Sequence, residues 1–313
     1  MTQIGLMVEG QAGLTWARWQ RLLQAAEDFG FQCVFRSDHF TIAPPDQESL
    51  EAWVSLTYAA SHTHRLEFGS LVSPVTFRHP ALLVRMATAV DDLSQGRLVL
   101  GLGAGWNERE HQQFGVPFYD VKTRREMFVD ALEITTRLLQ QDSPVSYVGK
   151  HFSLDGAVLL SRPGRPKGPS ILIGGNGVKH TLLLVVTYAD EWNGVFLSSA
   201  DYKERNTLLT DLLQQSGRDP QGVKRSLMTE IVWGETEAKL QARIAGRPDL
   251  KLPDPNRIIG TPAQVIDQIG AYVDAGAERF MLQWLDLDDL AGLESLAHHI
   301  LPVFHRNTDG EGK

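Results

Sequence analysis

A histidine preceded by an aspartate follows one of the short apolar runs of this chain. The run occupies residues 31–35, and Asp38 and His39 come shortly after it. A histidine at the end of a strand can carry a proton or hydrogen-bond the ring of a bound ligand. These two residues are therefore the candidate catalytic pair. The alternative is a histidine that only bonds to nearby backbone.

Two glycine-rich stretches follow other apolar runs and could hold a phosphate. They are Gly103, Ala104, Gly105 and Trp106 in the first stretch, and Gly174, Gly175 and Asn176 in the second. Glycines let backbone N–H groups approach a ligand closely, and a helix predicted after the second stretch would direct its N-terminus at a phosphate. A tight strand-to-helix turn is the alternative for the second stretch. The first does not fit the dinucleotide fingerprint, because it follows the fourth predicted strand and lacks the last glycine.

Disulfide and metal chemistry are not expected. The single cysteine, Cys33, lies inside an apolar run, which favours a buried small side chain over a nucleophile. Acidic and histidine residues occur together at 108–111, but no second cluster of ligands supports a metal site there.

The polar stretches alternate with elements that would bring them together. Residues 4–8, 31–35, 66–72 and 98–102 are predicted strands, and each is followed by a loop and a helix. The same order resumes at residue 171, which gives eight predicted strands and at least eight helices in 313 residues. This arithmetic predicts the α/β class and a (β/α)8 TIM barrel with insertions. A doubly wound parallel sheet is the alternative.

The chain is expected to form one domain over residues 1–306, with a disordered tail at 307–313. Residues 143–160 change pattern and predict an inserted β-hairpin. Residues 106–121 are predicted to be a long loop, and 245–259 to be irregular.

In a barrel the carboxyl ends of the strands share one face, where active sites lie. Four of the seven tryptophans fall at predicted strand ends, namely Trp106, Trp192, Trp233 and Trp284. We therefore expect a flat apolar cavity bounded by tryptophans, which would suit a planar ring. The alternative is that these side chains only cap the barrel mouth.

The composition of the chain limits which binding partners are expected. The formal net charge is -8 and no basic block occurs, so nucleic acid is not an expected partner. No apolar run reaches membrane length and no signal peptide is predicted, so no membrane contact and a cytoplasmic location are expected.

Taken together, the motifs resemble those of the bacterial luciferase-like monooxygenase superfamily, and particularly its F420-dependent oxidoreductase branch. They are Ser37-Asp-His-Phe40, Gly69-Ser-Leu-Val-Ser-Pro-Val-Thr-Phe-Arg-His-Pro80, the glycine run that ends at Trp106 and Asn107, Ile171-Leu-Ile-Gly-Gly175, Tyr188-Ala-Asp-Glu-Trp-Asn193 and Gly260-Thr-Pro262. They span nearly the whole chain in the family's order.

The resemblance implies a (β/α)8 barrel with a flavin or deazaflavin site at its carboxyl end, often in a homodimer. It places residues like His39 and Asp38 beside the cofactor ring. A stretch like Ser70–Leu71, with Ser73 close by, would contain a non-prolyl cis peptide that backs the ring. The two glycine-rich stretches would bind near the ribityl and phosphate groups.

One position departs from the family's pattern. The sugar-phosphate dehydrogenases of this superfamily have an acidic catalytic residue after the glycine run, where this chain has Trp106. Sugar-phosphate oxidation is therefore not expected. Glu108 and Glu110 are left as candidate proton-transfer groups.

The resulting hypothesis is an oxidoreductase that uses coenzyme F420, a deazaflavin, for hydride transfer to or from a small organic substrate. A monooxygenase using reduced FMN, supplied by a separate reductase, is the alternative, and a non-catalytic flavin-binding barrel is the third. Lys179, Arg162 and Arg165 are the local cations that could favour the anionic tail of F420.

Overall fold

The computed structural model describes residues 2–159 and 164–305. The strands are β1 (Gln3–Val8), β2 (Cys33–Arg36), β3 (Glu67–Ser70), β4 (Ser73–Pro74), β5 (Leu98–Gly103), β6 (Val145–Val148), β7 (Ser153–Ala157), β8 (Ser170–Gly174), β9 (Glu191–Val195), β10 (Lys224–Trp233), β11 (Ile258–Gly260) and β12 (Arg279–Gln283). The helices are α1 (Trp16–Phe29), α2 (Ala52–His62), α3 (Pro80–Leu93), α4 (Glu108–Gln113), α5 (Val121–Gln140), α6 (Thr181–Tyr188), α7 (Ser199–Gln215), α8 (Glu237–Ala245), α9 (Pro262–Asp274) and α10 (Leu290–Phe304).

Eight parallel strands close into a barrel. The order around it is β1, β2, β3, β5, β8, β9, β10 and β12, and β12 pairs again with β1. Helices connect the strands along the outside, as parallel crossovers require. The predicted (β/α)8 barrel is confirmed, and the doubly wound sheet is excluded because the sheet has no open edge between its first and last strands.

Apolar packing occurs on both faces of the barrel strands. Every residue of β5 is buried, as expected of a parallel strand covered on both sides. The large core lies between the strands and the helices, while a smaller cluster, which includes Met7, Phe35 and Met281, fills the barrel interior. Cys33 belongs to the interior cluster and is fully buried.

A buried ion cluster occupies the amino end of the barrel, opposite the expected site. Arg279, at the start of β12, donates from Nη1 to Glu191 at 2.8 Å and from Nε to Gln3 at 2.7 Å, and it also pairs with Glu67. Arg279 has no exposed surface, and burial raises the pKa of Glu191. The cluster fills this end of the barrel with paired charges.

The sequence patterns did not predict three of these elements, β4, α4 and β11. Helix α4 lies inside the region predicted to be a long loop, and β11 begins inside the region predicted to be irregular and ends one residue beyond it. Helix α4 has only six residues and is almost entirely polar, so it carries no apolar period. Strand β11 has three residues and extends the sheet by pairing with the end of β10.

An antiparallel hairpin of β6 and β7 occurs where the insertion was expected. The carboxylate of Asp130, on α5, anchors it by accepting from the Tyr147 hydroxyl and from the backbone N–H groups of His151 and Phe152. Residue 160, the last of the predicted hairpin, and the predicted tail at 307–313 lie outside the described residues. That the chain forms a single domain stays a prediction. Across the described part of the chain, none of the helices combines the length and the apolar character needed to span a membrane.

Candidate active site at the carboxyl end of the barrel

A cavity of about 580 Å³ opens at the carboxyl ends of the barrel strands. Eight of the twelve predicted site residues line it: His39, Leu71, Gly103, Ala104, Gly105, Trp106, Gly174 and Gly175. Its walls are mainly apolar, with Met7, Val72 and Met228 among them, and a few polar side chains lie between them. A cavity of this size and composition suits a small organic ligand or a flat ring.

His39 is joined to a buried carboxylate. Its Nδ1 atom lies 2.8 Å from Oε1 of Glu110, and the other oxygen of Glu110 accepts the backbone N–H of Phe40 at 2.9 Å. Helix α4, the helix that the sequence patterns missed, carries Glu110 to this position, where the side chain is 1% exposed. Because Nδ1 is engaged, Nε2 is the ring nitrogen left for a ligand in the cavity.

The carboxylate changes the charge state of the histidine. Burial lowers the pKa of His39, but the hydrogen bond and negative charge of Glu110 act in the opposite direction and outweigh it. The pKa of His39 therefore lies above the ordinary value for histidine. The pair can hold a proton beside the cavity up to a higher pH than an isolated histidine would, and can release it to a ligand.

Asp38 lies behind the cavity and does not line it. Its carboxylate accepts the Ser73 hydroxyl at 2.7 Å and forms an ion pair with Arg78, which also reaches Glu51 on the other side. Asp38 and Ser73 are both buried. The arrangement ties the end of β2 to β4 and to the segment before α3, so Asp38 supports His39 through the backbone.

The cis peptide lies one bond later than predicted. The described residues include a non-prolyl cis bond between Leu71 and Val72, whereas the prediction placed it at Ser70–Leu71. Leu71 and Val72 both line the cavity, while Ser70 is buried and donates its hydroxyl to the carbonyl of Gly101 at 3.0 Å. The surface offered to a ring is therefore formed by Leu71 and Val72.

The glycine stretches form a cradle that side chains would fill. A Cβ added at Gly103 would lie 2.5 Å from Cγ2 of Val72, and Gly175 adopts a φ of +129°, a conformation that other residues rarely adopt. Asn193 also lines the cavity, and its buried Oδ1 has no hydrogen-bond partner among the described residues. An apolar floor, a cradle open only because of glycine, and an unpaired polar atom fit a flat ring with polar edges.

Asn176 does not line the cavity. Its side chain accepts from the backbone N–H of Val195 and donates to the carbonyl of the same residue, which closes the β8 loop onto the end of β9. Helix α6 begins just after this loop, and no side chain caps it at His180. The N–H of Leu182 in its first turn already donates to the carbonyl of Gly177 at 3.1 Å. The other N–H groups of that turn, with Lys179 beside them, are the candidates to bind a phosphate.

Two further expectations need correction. Arg165 bonds Asp91 and the carbonyl of Leu98 at the amino end of the barrel, so it cannot reach a ligand in the cavity; Arg162 lies outside the described residues. Of the four tryptophans, only Trp106 lines the cavity.

The other three tryptophans point away from the site because their strands turn them outward. Trp192 stacks on Tyr202 and donates to the carbonyl of Gly175, whereas Trp233 and Trp284 line a neighbouring cavity.

Three polar residues that line the cavity, Glu9, Ser37 and Gln283, were not predicted as site residues. Glu9, just after β1, accepts from Gln283 Nε2 at 2.6 Å and from Gln11 Nε2 at 2.6 Å, and Ser37 donates to Gln11 at 2.5 Å. Their only sequence signal is position: each follows or closes a barrel strand. No group of three or more potential metal ligands occurs among the described residues, and His111 bonds the Asn107 carbonyl and the Thr76 hydroxyl instead.

These features define a (β/α)8 barrel enzyme. The carboxyl end of its barrel holds an apolar cavity, partly lined by glycines, and a histidine paired with a carboxylate. Residues 1–256 match the family described as luciferase-like monooxygenase, and the chain belongs to that family. It is an oxidoreductase.

One relative is the F420-dependent hydroxymycolic acid dehydrogenase of Mycobacterium tuberculosis, 27% identical over 305 residues that cover 89% of this chain and 82% of the relative. Among solved structures, an F420-dependent secondary alcohol dehydrogenase in complex with an F420-acetone adduct superimposes with a TM-score of 0.83 at 20% identity and covers 98% of this chain and 99% of its own. A monooxygenase from Streptomyces bottropensis gives 0.80 at 18% identity, with 96% and 99% covered. At these identities the solved structures establish the shared fold.

Proposed function

We propose that this protein is an F420-dependent oxidoreductase that reduces the carbonyl group of an organic substrate, or oxidises the corresponding alcohol. The observation that carries the proposal is the His39–Glu110 pair at the edge of the cavity. Interconversion of an alcohol and a carbonyl moves a hydride and a proton, and a redox ring handles only the hydride. The protein must supply or accept the proton, and His39 is placed and charged to do so.

His39 would act at the substrate oxygen. In the reductive direction the bound cofactor would supply the hydride that forms the C–H bond. As the C=O double bond becomes single, Nε2 of His39 would give its proton to the substrate oxygen. In the oxidative direction each transfer reverses. Because the pKa of His39 is raised, the protonated form required for reduction persists to a higher pH than in an ordinary histidine.

Other residues would hold the cofactor. The surface formed by Leu71 and Val72 would support one face of the ring, and Gly103 and Gly175 would let the backbone approach it. The uncapped first turn of α6 and Lys179 would receive a phosphate. When bound, the cofactor supplies two-electron hydride chemistry; the chain supplies orientation, an apolar cavity and the proton.

The names of two relatives support F420 over FMN, since both are F420-dependent dehydrogenases. A reduced-FMN monooxygenase is the second candidate, because a monooxygenase shares the fold to nearly the same degree. Only this alternative requires oxygen and a separate flavin reductase.

A cofactor titration tests the proposal. The protein, freed of bound flavin, is titrated with F420 and with FMN, each followed by its own fluorescence, and then with the reduced forms without oxygen. We expect tight binding of F420 and weak binding of FMN. Tight binding of reduced FMN alone, with oxygen uptake on turnover, would overturn the proposal in favour of the monooxygenase.

A homodimer and a cytoplasmic location remain proposals. Val54 on α2 and Leu82 on α3 expose 57% and 60% of their surfaces on two adjacent helices, which is consistent with a face covered by a second copy. Light scattering after size exclusion would report a mass of one chain if the dimer is wrong.

A further inference from the structure

An apolar surface continues the cavity out to the protein exterior. Ile42 and Trp106 both line the cavity, yet they are 39% and 64% exposed. Phe114, which is 62% exposed, follows Trp106 on the same segment and packs on Phe40, the residue after His39. We call these three residues the apolar ledge.

The ledge is held in place by packing and by ions beneath it. The Trp106 ring meets the edge of the His39 ring at 5.4 Å, and the Phe114 ring lies 4.7 Å from that of Phe40, the next residue. Phe40 in turn stacks on Phe77 at 4.3 Å. The exposed rings are thus fixed along the stretch that also carries His39, and they lead away from it.

Hydrogen bonds from two side chains, those of Arg109 and Asn107, hold the loop after β2 against α4. Arg109 donates to both carboxylate oxygens of Asp46, at 2.7 and 2.9 Å, and to the hydroxyl of Thr41. Asn107 donates to the carbonyl of Thr41 at 2.7 Å. Because the cation and the carboxylate nearest to the ledge neutralise each other, the ledge itself offers only apolar contact.

Two arginines that bind the cavity-lining strand β10 are already paired with carboxylates. Glu230 pairs in register with Gln283, which lines the cavity, and its buried carboxylate binds both Arg247 and Arg257. Arg247 also binds Asp249, and Arg257 also binds Asp254. Both guanidinium groups are therefore neutralised, and neither is left unpaired for an acidic substrate.

From these two observations we infer that the substrate is amphiphilic and uncharged: a carbonyl or alcohol group reaches His39, and a hydrocarbon chain leaves across the apolar ledge. The inference rests on the proposed function for the chemistry at His39. It adds the substrate class, which is argued from the exposed apolar residues Ile42 and Trp106 in the cavity lining and from Phe114, which packs on Phe40 next to His39. Burial of a chain against exposed aromatic rings stabilises the complex in proportion to the area covered.

A chain-length series tests the inference. The second-order rate constant kcat/KM is measured with reduced F420 for straight-chain methyl ketones of increasing length. We expect it to rise about two- to fourfold for each added methylene that reaches the ledge, as partial to full burial of a methylene predicts. Ketones that end in a carboxylate should fall well below neutral ketones of equal length. Equal rates for all lengths, or a preference for the acids, would overturn the inference.

The variant F114S removes the outer end of the ledge, and V303S is the control, since Val303 is also exposed but lies at the end of α10 and does not line the cavity. F114S should flatten the rise for the long ketones, whereas V303S should keep the wild-type slope. A loss in F114S that is the same at every length, together with a change in molecular mass by light scattering, would assign Phe114 to a contact between copies and overturn the ledge.

Failure of the proposed function is recognised separately. Without cofactor, the blue shift of tryptophan emission on addition of 1-dodecanol compared with 1-butanol reports whether a hydrocarbon chain covers the exposed Trp106, again with F114S and V303S as the variants. If binding of the alcohol depends on its chain length but F420 does not bind, the ledge is supported and the proposed cofactor is wrong. If F420 binds and short ketones turn over, but neither assay depends on chain length, the proposed function is supported and the ledge is wrong.

Discussion

Nδ1 of His39 lies 2.8 Å from Oε1 of Glu110, across a separation of 71 residues in the chain. The contact joins the end of β2 to the short helix α4 and leaves Nε2 of the ring for the cavity. Glu110 is a positioning residue in this arrangement, because it acts on the substrate only through His39. The first prediction concerns what it does to the pKa of His39.

In E110Q the pKa of His39 should fall, because burial, which lowers it, remains while the hydrogen bond to the Glu110 carboxylate and its negative charge, which raise it, are lost. The reduction reaction should then lose its rate at a lower pH than in the wild type. Histidine NMR titration and the pH profile of kcat/KM measure the two effects. E108Q, the same change at an exposed position of the same helix, is the control, and an equal shift in both variants would contradict the prediction.

The same pair should make stability depend on pH. Since the pKa of His39 is raised on folding, its contribution is fully present below the pKa of an unfolded histidine and is lost as the pH rises through the folded pKa. The difference in the free energy of unfolding between wild type and E110Q should therefore shrink as the pH rises from mildly acidic to alkaline. Urea titrations across that window would show a constant difference if the charge pair were not formed.

The Asp38 carboxylate should matter more for stability than for proton transfer. D38N leaves Arg78 with only Glu51 as an ionic partner, and we expect a loss of about 2–3 kcal/mol, less than the 3–5 kcal/mol typical of a fully buried pair. E51Q, which changes the exposed carboxylate that binds the same arginine, should cost under about 1 kcal/mol. The midpoint of the pH profile should move less in D38N than in E110Q. A shift as large as in E110Q would mean that Asp38 acts on the proton directly.

Much of the fold could be predicted because parallel barrel strands carry a strong local signal. Continuous apolar runs such as residues 98–102 indicate strands buried on both faces, and the glycines after them indicate the carboxyl end. Short polar elements carry no such signal, which is why α4 was missed. With α4 missed, the partnership of Glu110 with His39 could not be predicted either, although Glu110 itself was a candidate.

Side-chain direction was the other property that the sequence left open. Asp38 and His39 are adjacent, yet one side chain supports the loop from behind and the other lines the cavity. Trp192, Trp233 and Trp284 lie near strand ends, but the alternation of side chains along a strand turns them away from the interior. A shift of one residue in the register of a strand turns every side chain to the opposite face of the sheet. Sequence patterns do not fix the register to one residue.

Cys33 should be unreactive in the native protein. Its side chain is fully buried inside the barrel, and burial raises the pKa of its thiol to about 12. The thiolate, which is the reactive form, is then scarce at neutral pH, and a reagent has no path to it. N-ethylmaleimide should leave the folded chain unlabelled and add one label in concentrated urea, as read by mass spectrometry. Rapid labelling of the folded chain would instead indicate that Cys33 is a reactive nucleophile, the alternative that its place in an apolar run disfavours.

Removal of Arg279 should destabilise the barrel far more than removal of a surface arginine. R279M leaves Glu191 without its cation in a site where neither side chain is appreciably exposed, and we expect a loss of about 3–5 kcal/mol. R21M breaks an ion pair with Asp288 in which both side chains are half exposed, and it should cost under about 1 kcal/mol.

The loss in R279M should also decrease at low pH. Burial already raises the pKa of Glu191, and without Arg279 the pKa should rise further, because that cation opposes the effect of burial. The native state then binds a proton more tightly than the unfolded state, so stability recovers as the pH falls through the raised pKa. The double variant E191Q/R279M should recover most of the loss at neutral pH. If R279M costs no more than R21M, or if its cost is unaffected by both pH and E191Q, the ion cluster does not stabilise this end of the barrel.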